Sequence, residues 1–352
     1  MQLDNRLTYC YPKDNIKMEC DEMRKRILEI LRNRAPEAVS GEELSALLAV
    51  SRTAVWKHIQ VLKNSGYIIE SVPKRGYILQ SAPDSLRPEE VVTRLRTKWL
   101  GSSINYDESV NSTNEVAKRL ANSGCENGLV CIAEEQVGGK GRLARGWSSP
   151  YARGIWFSVV LKPPFMPSEA SKCTLLAAVA VVRAIYEYTG VKAGIKWPND
   201  ILIDGKKLVG ILTEMNAEFG HINYIVIGTG INISIPATDL PEEIKESAIS
   251  LADATTMKIN RAELLALVLK NMEEFYELAL TEGFGPVLEE WRWWSVTLGK
   301  EVKVVAPNET YIGKALDIDD DGLLIVDRGG ETVKVIAGDV SIRAAQPEGG
   351  KY

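Results

Sequence analysis

The spacing of apolar residues changes along this chain, and the change constrains the fold more than any other feature. Residues 23–66 carry apolar side chains at helical spacing, as at Met23, Ile27 and Leu31. Longer mixed segments follow, and short strands separated by Gly, Asn and Asp turns fill residues 297–345. A chain of 352 residues has room for two or three domains. The three patterns indicate three.

Composition narrows the class of protein. Apolar residues make up 45% and charged residues 25%, which is ordinary for a folded globular protein. The net charge of -5 means that any affinity for nucleic acid has to come from a local basic patch. Five scattered cysteines form no CxxC pair, and His58 and His221 are the only histidines. We therefore expect reduced thiols and no metal site.

No segment is apolar enough to be a signal peptide or a membrane span. The first twenty residues lack an apolar run of signal-peptide length, and nowhere do 18 uncharged apolar residues follow one another. We expect a cytoplasmic protein without membrane contact, and a poorly ordered extension at residues 1–20.

Residues 21–80 carry the signals of three helices and a hairpin. SGEE, with Ser40 and Glu43, forms a capping box at the start of a second helix, and Ser51 caps a third. Two β-branched and aromatic runs then flank a turn at residues 73–76. This order predicts a winged helix-turn-helix domain.

The third helix and the wing are basic. Between residues 52 and 77 there are five Lys or Arg side chains and one acid, a local excess of five minus one, or +4. DNA phosphates require such charge on a groove-binding helix and on a wing. A helical interaction module with a solvated basic face is the alternative. The predicted DNA contacts are Ser51, Arg52, Thr53, Lys57, Lys74 and Arg75.

The rest of the chain divides into a linker and two domains. Residues 81–87 are rich in Pro and Ser and indicate a linker before a helix near Pro88. Residues 88–295 alternate strands and helices, which predicts a central α+β domain within a multidomain α+β architecture. Residues 297–345 predict a small antiparallel barrel, in which the run DIDDDG at 317–322 is a hairpin turn and not a calcium loop.

A glycine-rich loop, GGKGRLARGW at residues 138–147, is the first candidate for a binding site. It lacks the GK[ST] ending of a P-loop. Its glycines permit close backbone approach, while Lys140, Arg142 and Arg145 supply positive charge. The loop suits a polyanion, although a solvated surface loop could have the same composition.

Other motifs accompany this loop. They are Gln136 before it, Trp147 at its end, NSTNE at 111–115, IKWPND at 195–200, GILTE at 210–214 and GTGIN at 228–232. Together they resemble the motifs of the biotin-protein ligases, specifically the bifunctional kind that is also a biotin operon repressor. The resemblance covers nearly the whole chain after residue 21, and it implies a class II synthetase-like α/β catalytic domain followed by an SH3-like barrel.

The resemblance implies a two-step reaction. The biotin carboxylate attacks the α-phosphate of ATP to give biotinyl-5'-adenylate and pyrophosphate, with Mg²⁺ screening the triphosphate. A lysine amine of a biotin carrier domain then attacks the acyl carbon and releases AMP. The other implied partners are operator DNA of biotin genes and a second copy of the chain, in a homodimer of the adenylate-bound protein.

Residue roles follow from the matched motifs. Lys196, Arg142 and Lys140 are the expected catalytic cations, because an attack of one anion on another requires positive charge. The expected biotin contacts are Ser112, Thr113, Asn114, Gln136, Lys140, Gly141, Arg142 and Lys196, with apolar walls from Trp156, Ile211 and Leu212. The expected ATP and adenylate contacts are Arg142, Arg145, Trp147, Lys196, Asn199 and Asn232. Trp147 could instead be a core aromatic.

The loop departs from the family pattern GRGRxGR at two positions, Lys140 and Ala144. Lysine retains the charge of arginine but lacks its bidentate fork. We expect the loop to be mobile when empty and ordered by the bound anion. Two alternatives stay open, namely a lipoate or octanoate ligase of the same fold and a biotin-sensing repressor without ligase activity.

Overall fold

The computed structural model describes residues 15–306, 309–336 and 341–344. The predicted extension at residues 1–20 therefore lies outside the described residues as far as residue 14. The first helix begins at Asn15, ahead of the apolar stripe that starts at Met23.

The N-terminal elements are three helices and a hairpin in the predicted order. They are α1 (Asn15–Arg34), α2 (Gly41–Leu48), α3 (Arg52–Asn64), β1 (Ile68–Val72) and β2 (Gly76–Ser81). The Oγ of Ser40 accepts a hydrogen bond from the Glu43 amide at 3.0 Å. The Glu43 side chain does not close the predicted capping box, because its carboxylate accepts from Arg34 at 3.0 Å. The Oγ of Ser51 caps α3 at 3.2 Å from the Ala54 amide.

These elements enclose an apolar core of their own. Val55, Ile59 and Leu62 of α3 are buried against Ile27 of α1, and β1 pairs antiparallel with β2. Because helix and strand periods both turn apolar residues inward here, the domain has a complete core without the rest of the chain.

The central domain contains a seven-stranded sheet. Its strands are β3 (Ile104–Val110), β4 (Val130–Gln136), β5 (Gly154–Leu161), β6 (Gly194–Lys196), β7 (Asp200–Ile203), β8 (Lys206–Glu218) and β9 (His221–Asn232). Its helices are α4 (Pro88–Val92), α5 (Thr113–Asn122), α6 (Ala170–Thr189), α7 (Leu251–Ala254), α8 (Arg261–Glu282) and α9 (Gly285–Trp294). The strand order is β3-β4-β5-β9-β8-β7-β6, with only β3 and β4 parallel.

Local sequence explains several of these boundaries. Asp204 and Gly205 have φ of 50° and 79°, as a tight hairpin between β7 and β8 requires. Gly190 ends α6 in the left-handed conformation, with φ of 72°. The helices α6, α8 and α9 share one apolar core with a face of the sheet, while α5 packs on the opposite face. The opposite face therefore keeps room for a ligand.

The C-terminal domain is a five-stranded antiparallel sheet within the described residues. Its strands are β10 (Glu301–Val305), β11 (Thr310–Ile318), β12 (Leu324–Asp327), β13 (Thr332–Val335) and β14 (Ser341–Ala344). They follow the order β13-β12-β11-β10-β14, and the acidic run at 317–322 forms the turn between β11 and β12 as predicted. The buried apolar side chains of β10 to β13 belong to the same continuous core as α6 and α8. In the described ranges, no helix is long and apolar enough to cross a membrane.

Candidate functional site

One cavity of about 570 Å³ lies on the face of the central sheet that carries α5. The side chains and backbone around it include Ser112, Thr113, Asn114, Gln136, Lys140, Gly141, Arg142, Arg145, Trp147, Lys196, Asn199 and Asn232. The structure thus brings together all the predicted biotin and adenylate contacts except one of the three predicted apolar wall residues, Trp156. Ile211 and Leu212 also line the cavity, but Trp156 does not, because it is fully buried behind Trp147.

Gln136 joins the start of α5 to the strand after the loop. Its Oε1 accepts from the amide and from the hydroxyl of Thr113 at 2.9 and 3.1 Å, while its Nε2 donates to Ser149 Oγ at 2.9 Å. The hydroxyl oxygens of Ser158 and Thr113 lie 2.7 Å apart, within hydrogen-bond distance. These polar groups are fixed before any ligand arrives, which is the preorganisation that a polar ring in an apolar pocket needs.

Asn114 is fixed in the same way. Its Oδ1 accepts from Ser158 at 2.6 Å, and its Nδ2 donates to Glu214 of the GILTE motif at 2.8 Å. A Cβ at Gly228 would lie 2.0 Å from Asn114 Oδ1. The first glycine of GTGIN is therefore required by the close approach of this amide.

The glycine-rich loop forms a narrow hairpin above the cavity. The Gly141 amide donates to Arg145 O at 2.7 Å, and the Trp147 amide donates to Gly139 O at 2.8 Å. Leu143 at the tip has φ of 55° and is half exposed. Whether this hairpin orders only on ligand binding stays a prediction.

Lys140 forms an ion pair with Glu115, the last residue of the NSTNE motif. Hydrogen bonding to Lys140 holds the pKa of Glu115 below its usual range, and the same contact raises the pKa of Lys140. The pair therefore stays charged at neutral pH. It connects the loop to α5, and a lysine serves this point contact as well as an arginine would.

Cationic side chains converge on the opposite side of the cavity. Arg142 donates to Asn199 Oδ1 at 3.3 Å, and Asn199 in turn donates to Ile211 O at 2.7 Å. Lys196 ends the edge strand β6 and faces the same space. Lys207 Nζ lies 2.6 Å from Asp200 Oδ1. The sequence analysis missed Lys207, although its place near the start of β8, two residues after the Asp-Gly turn, is a usable signal.

Trp147 lies across strands β8 and β9. A Cβ at Gly230 would be 2.2 Å from its Nε1, and one at Gly210 would be 2.9 Å from its ring. Lys207 Nζ stands 5.2 Å from the indole centroid, and Trp156 meets it edge-on at 6.5 Å. Trp147 is thus half-buried and also lines the cavity. It therefore has features of the predicted adenylate contact and of the alternative, a core aromatic.

The far wall of the cavity includes a segment that carries no motif. Asn232 of the GTGIN motif joins this segment to the sheet, because its Nδ2 donates to Lys207 O and Ile249 O at 3.4 and 3.2 Å. Further lining residues, none of which the sequence analysis identified, are Leu240, Ile244, Ser247 and Ala248. No local pattern marks them.

The predicted DNA contacts are all exposed, on an outer face of α3 and at the wing tip. Ser51, Arg52, Thr53 and Lys57 lie on the outer side of α3, and Lys74 and Arg75 form the tip of the β1–β2 hairpin. Lys74 adopts φ of 62° at this turn. Burial lowers the pKa of His58 on the same helix. Trp56 is 52% exposed on this face and was not predicted as a contact.

The WRWW run at 291–294 divides between two environments. Trp291 is fully buried and Trp294 nearly so, whereas Trp293 is 69% exposed. Arg292 donates to Asp317 at 2.7 Å and to Ile318 O at 2.8 Å. The run therefore packs α9 against the C-terminal sheet. The described parts of the chain contain no group of three His, Cys, Asp or Glu side chains suited to a metal ion.

Comparison with protein families gives three matches in chain order. Residues 24–78 match an HTH domain, residues 106–232 match the biotin/lipoate A/B protein ligase family, and residues 297–343 match the biotin protein ligase C-terminal domain. The first and third ranges fall on the N-terminal and C-terminal groups of elements, and the second covers the central domain from β3 to the end of β9.

Relatives match over most of the chain. The bifunctional ligase/repressor BirA of Bacillus subtilis is 39% identical over 320 residues, covering 91% of this chain and 98% of the relative. The protein of the same name from Escherichia coli is 29% identical and covers 87% of this chain and 94% of its own. A biotin protein ligase from Aquifex aeolicus, solved with biotin and ATP, superposes with a TM-score of 0.60 at 28% identity over 69% of this chain and 99% of its own. The chain therefore belongs to the biotin protein ligases, among the bifunctional ligase/repressors.

Proposed function

We propose that this protein activates biotin with ATP and transfers the biotinyl group to a lysine of a biotin carrier domain. The observation that carries the proposal is one cavity that brings together two sets of groups. Fixed amides and hydroxyls line one side of it, and cationic side chains line the other. This is the arrangement that a polar ring with a carboxylate tail, meeting a triphosphate, requires.

In the first step a carboxylate oxygen forms a bond to the α-phosphorus, and pyrophosphate leaves with the electron pair of the broken P–O bond. Lys196 and Arg142 lie where both anions meet, so they reduce the repulsion between them and stabilise charge on the phosphoryl oxygens. Lys140 and Arg145 extend this positive surface along the loop. No covalent enzyme intermediate is needed.

The biotin end is held by polar contacts. Ser112, Thr113, Asn114 and Gln136 surround the space at the start of α5, where amides offer both donors and acceptors to a ureido ring. Trp147 offers a flat aromatic face to the adenine, with Asn199 and Asn232 at its border. The loop above excludes water from the mixed anhydride that forms.

Magnesium enters with the nucleotide in this proposal. Asp200, the carboxylate among the residues that line the cavity, is already paired with Lys207 at 2.6 Å. Phosphate oxygens and water would therefore supply most ligands of a Mg²⁺ ion. Its contribution when bound is to screen the triphosphate charge.

In the second step the carrier lysine amine attacks the acyl carbon, the acyl–oxygen bond to phosphate breaks, and AMP leaves.

The proposal includes a regulatory role in the cytoplasm. The exposed basic face of α3 and the wing tip would contact the phosphates and grooves of a two-fold symmetric operator, and a homodimer formed by the adenylate-bound protein would supply two such faces.

The ligase proposal is tested with ATP, Mg²⁺, labelled biotin and a biotin carrier domain. We expect label on the carrier lysine and biotin-dependent pyrophosphate release, and we expect Lys196→Ala to abolish that release while far-UV circular dichroism stays unchanged. Binding of lipoate but not of biotin would favour the lipoate ligase alternative. Biotin binding without pyrophosphate release would favour a sensor without ligase activity.

The repressor proposal is tested by mobility shift on the DNA upstream of biotin genes. We expect a specific complex that biotinyl-adenylate strengthens and that salt weakens steeply. Lys74→Ala with Arg75→Ala should weaken it across all sequences. Absence of a specific complex with or without adenylate would contradict the proposal.

A further inference from the structure

The strand that carries Lys196 is short and lies at an edge of the sheet. β6 spans Gly194–Lys196 and pairs with β7 on one side only. Its outer side is covered by the segment that follows α9, where the Val296 amide donates to Ile195 O at 2.9 Å. A Cβ at Gly194 would lie 2.0 Å from Val296 Cγ1, so this approach requires glycine.

The residue after Lys196 is held from the same direction. The amide of Trp197 donates to Thr297 Oγ1 at 2.9 Å, and its indole Nε1 donates to Gly322 O at 3.0 Å. Trp197 and Thr297 are 1% and 3% exposed, so water does not replace either bond. Both chain neighbours of Lys196 are thus bonded to the C-terminal part of the protein.

The turn that offers Gly322 O is itself fixed. The carboxylate of Asp319 accepts from the amides of Asp321 and Leu323 at 3.0 and 2.9 Å, and it pairs with Lys334 at 2.8 Å. Asp319 therefore fixes the turn between β11 and β12. It holds the carbonyl that meets the Trp197 indole.

We infer that the C-terminal domain positions Lys196 for adenylate formation, with Thr297 and the Gly322 carbonyl acting through Trp197 as positioning groups. The inference rests on the proposed ligase function. A three-residue edge strand has little hydrogen bonding of its own, so the place of the Lys196 ammonium depends on what holds residues 195 and 197. Displacement of a reacting group by about 1 Å costs up to ~100-fold in rate.

Thr297→Val tests this directly, because valine keeps the shape of threonine and removes the acceptor for the Trp197 amide. We expect kcat for biotin-dependent pyrophosphate release to fall about tenfold, equivalent to about 1.4 kcal/mol. Biotin affinity, measured by titration calorimetry, should stay within about twofold, since the contacts at α5 and Gln136 are elsewhere. Thr297→Ser should restore kcat, because serine restores the acceptor oxygen.

The matched control is Asp317→Asn, which breaks the ion pair between the C-terminal sheet and Arg292 without touching β6. Its kcat should equal that of the unaltered chain. If Thr297→Val does not fold, Trp197→Phe tests the second bond, because it removes the donor to Gly322 O; it also removes part of a buried ring, so its fold is checked by far-UV circular dichroism.

Unchanged kcat in Thr297→Val or Trp197→Phe would overturn the inference. So would a fall in kcat that Thr297→Ser fails to restore, or one accompanied by an equal loss of biotin affinity. If the unaltered chain releases no pyrophosphate, the proposed function fails first, and the two failures are thereby distinguished.

Discussion

The two ends of the chain join the central domain in different ways. The N-terminal domain has a core of its own and meets the rest through charges, which we call the N-terminal junction: Arg32, Tyr67, Asp84, Glu90 and Arg261. The C-terminal sheet shares one continuous apolar core with the central helices. It is also joined by neutral hydrogen bonds to a residue next to Lys196, and we call this the C-terminal junction: Trp197, Thr297 and Gly322. One end therefore has a core separate from the site, whereas the other contacts residues of the site.

The charges of the N-terminal junction are mostly buried. Glu90 is 1% exposed and accepts from Arg32, from the Tyr67 hydroxyl and from Arg94. Burial, together with the nearby Glu90 carboxylate, raises the pKa of Tyr67, so its hydroxyl stays a donor. The N-terminal domain is thus joined to α4 by polar groups that are largely withdrawn from water.

The segment predicted as a linker is bonded to the central domain. Leu86 donates its amide to Glu134 Oε1 at 2.7 Å, and Glu134 also accepts from the fully buried Arg261 at 2.6 Å. Arg261 reaches back to Asp84 at 3.0 Å. Glu134 lies two residues before Gln136 on β4, so the linker is fixed by the strand that reaches the cavity.

The largest expected effect comes from breaking this buried pairing. Arg261→Gln removes the partner of Glu134 and should destabilise the protein by about 4 kcal/mol, because an uncompensated buried carboxylate remains. Urea unfolding measures the loss. Arg183→Gln, which removes a half-exposed partner of Glu187 on α6, is the control and should cost under about 1 kcal/mol. Equal effects would mean that the buried pairing has no special weight.

The next largest effect concerns Glu90. Glu90→Gln keeps the volume but removes the charge that holds Arg32 and Arg94, at a cost of about 3 kcal/mol. We expect faster proteolysis at residues 81–87 while kcat for pyrophosphate release is retained. The exposed pair between Arg87 and Glu108 supplies the control Glu108→Gln, for which we expect unchanged proteolysis. Loss of kcat in Glu90→Gln would contradict the separation of the two junctions.

The C-terminal junction should respond to backbone geometry. Gly322 has φ of 76°, and a Cβ there would lie 2.7 Å from Leu175 Cδ1. Gly322→Ala should cost about 2 kcal/mol through strain and the shifted contact. Gly329→Ala is the matched control, because φ is 83° and no atom lies within 4 Å of the new Cβ. An equal loss at Gly329 in thermal unfolding would show that strain alone decides the cost.

The smallest effect is expected for the ion pair between Arg292 and Asp317. Both side chains are more than a third exposed, and screening by water leaves such pairs a net stabilisation of about 0–1 kcal/mol. Asp317→Asn should therefore change the melting temperature by no more than a few degrees. A loss comparable to that of Gly322→Ala would mean that the C-terminal junction also depends on charge.

The sequence predicted what depends on neighbours along the chain. Ser40 and Ser51 cap their helices, Asp204 and Gly205 form the hairpin, and the motif residues converge on one cavity. The bond from Trp197 to Gly322 was not predictable, because it joins residues 125 apart with no pattern of their own. The place of Trp156 was mispredicted for a related reason: its strand position alone did not reveal that Trp147 stands between it and the cavity.

We expect the C-terminal junction to support adenylate formation and the N-terminal junction to support DNA binding. The most direct test measures pyrophosphate release and operator binding, with biotinyl-adenylate supplied, in Thr297→Val and Glu90→Gln side by side. We predict that Thr297→Val loses about tenfold in kcat yet binds operator normally, and that Glu90→Gln keeps kcat but binds operator more weakly. Loss of both activities together in either variant would contradict the claim.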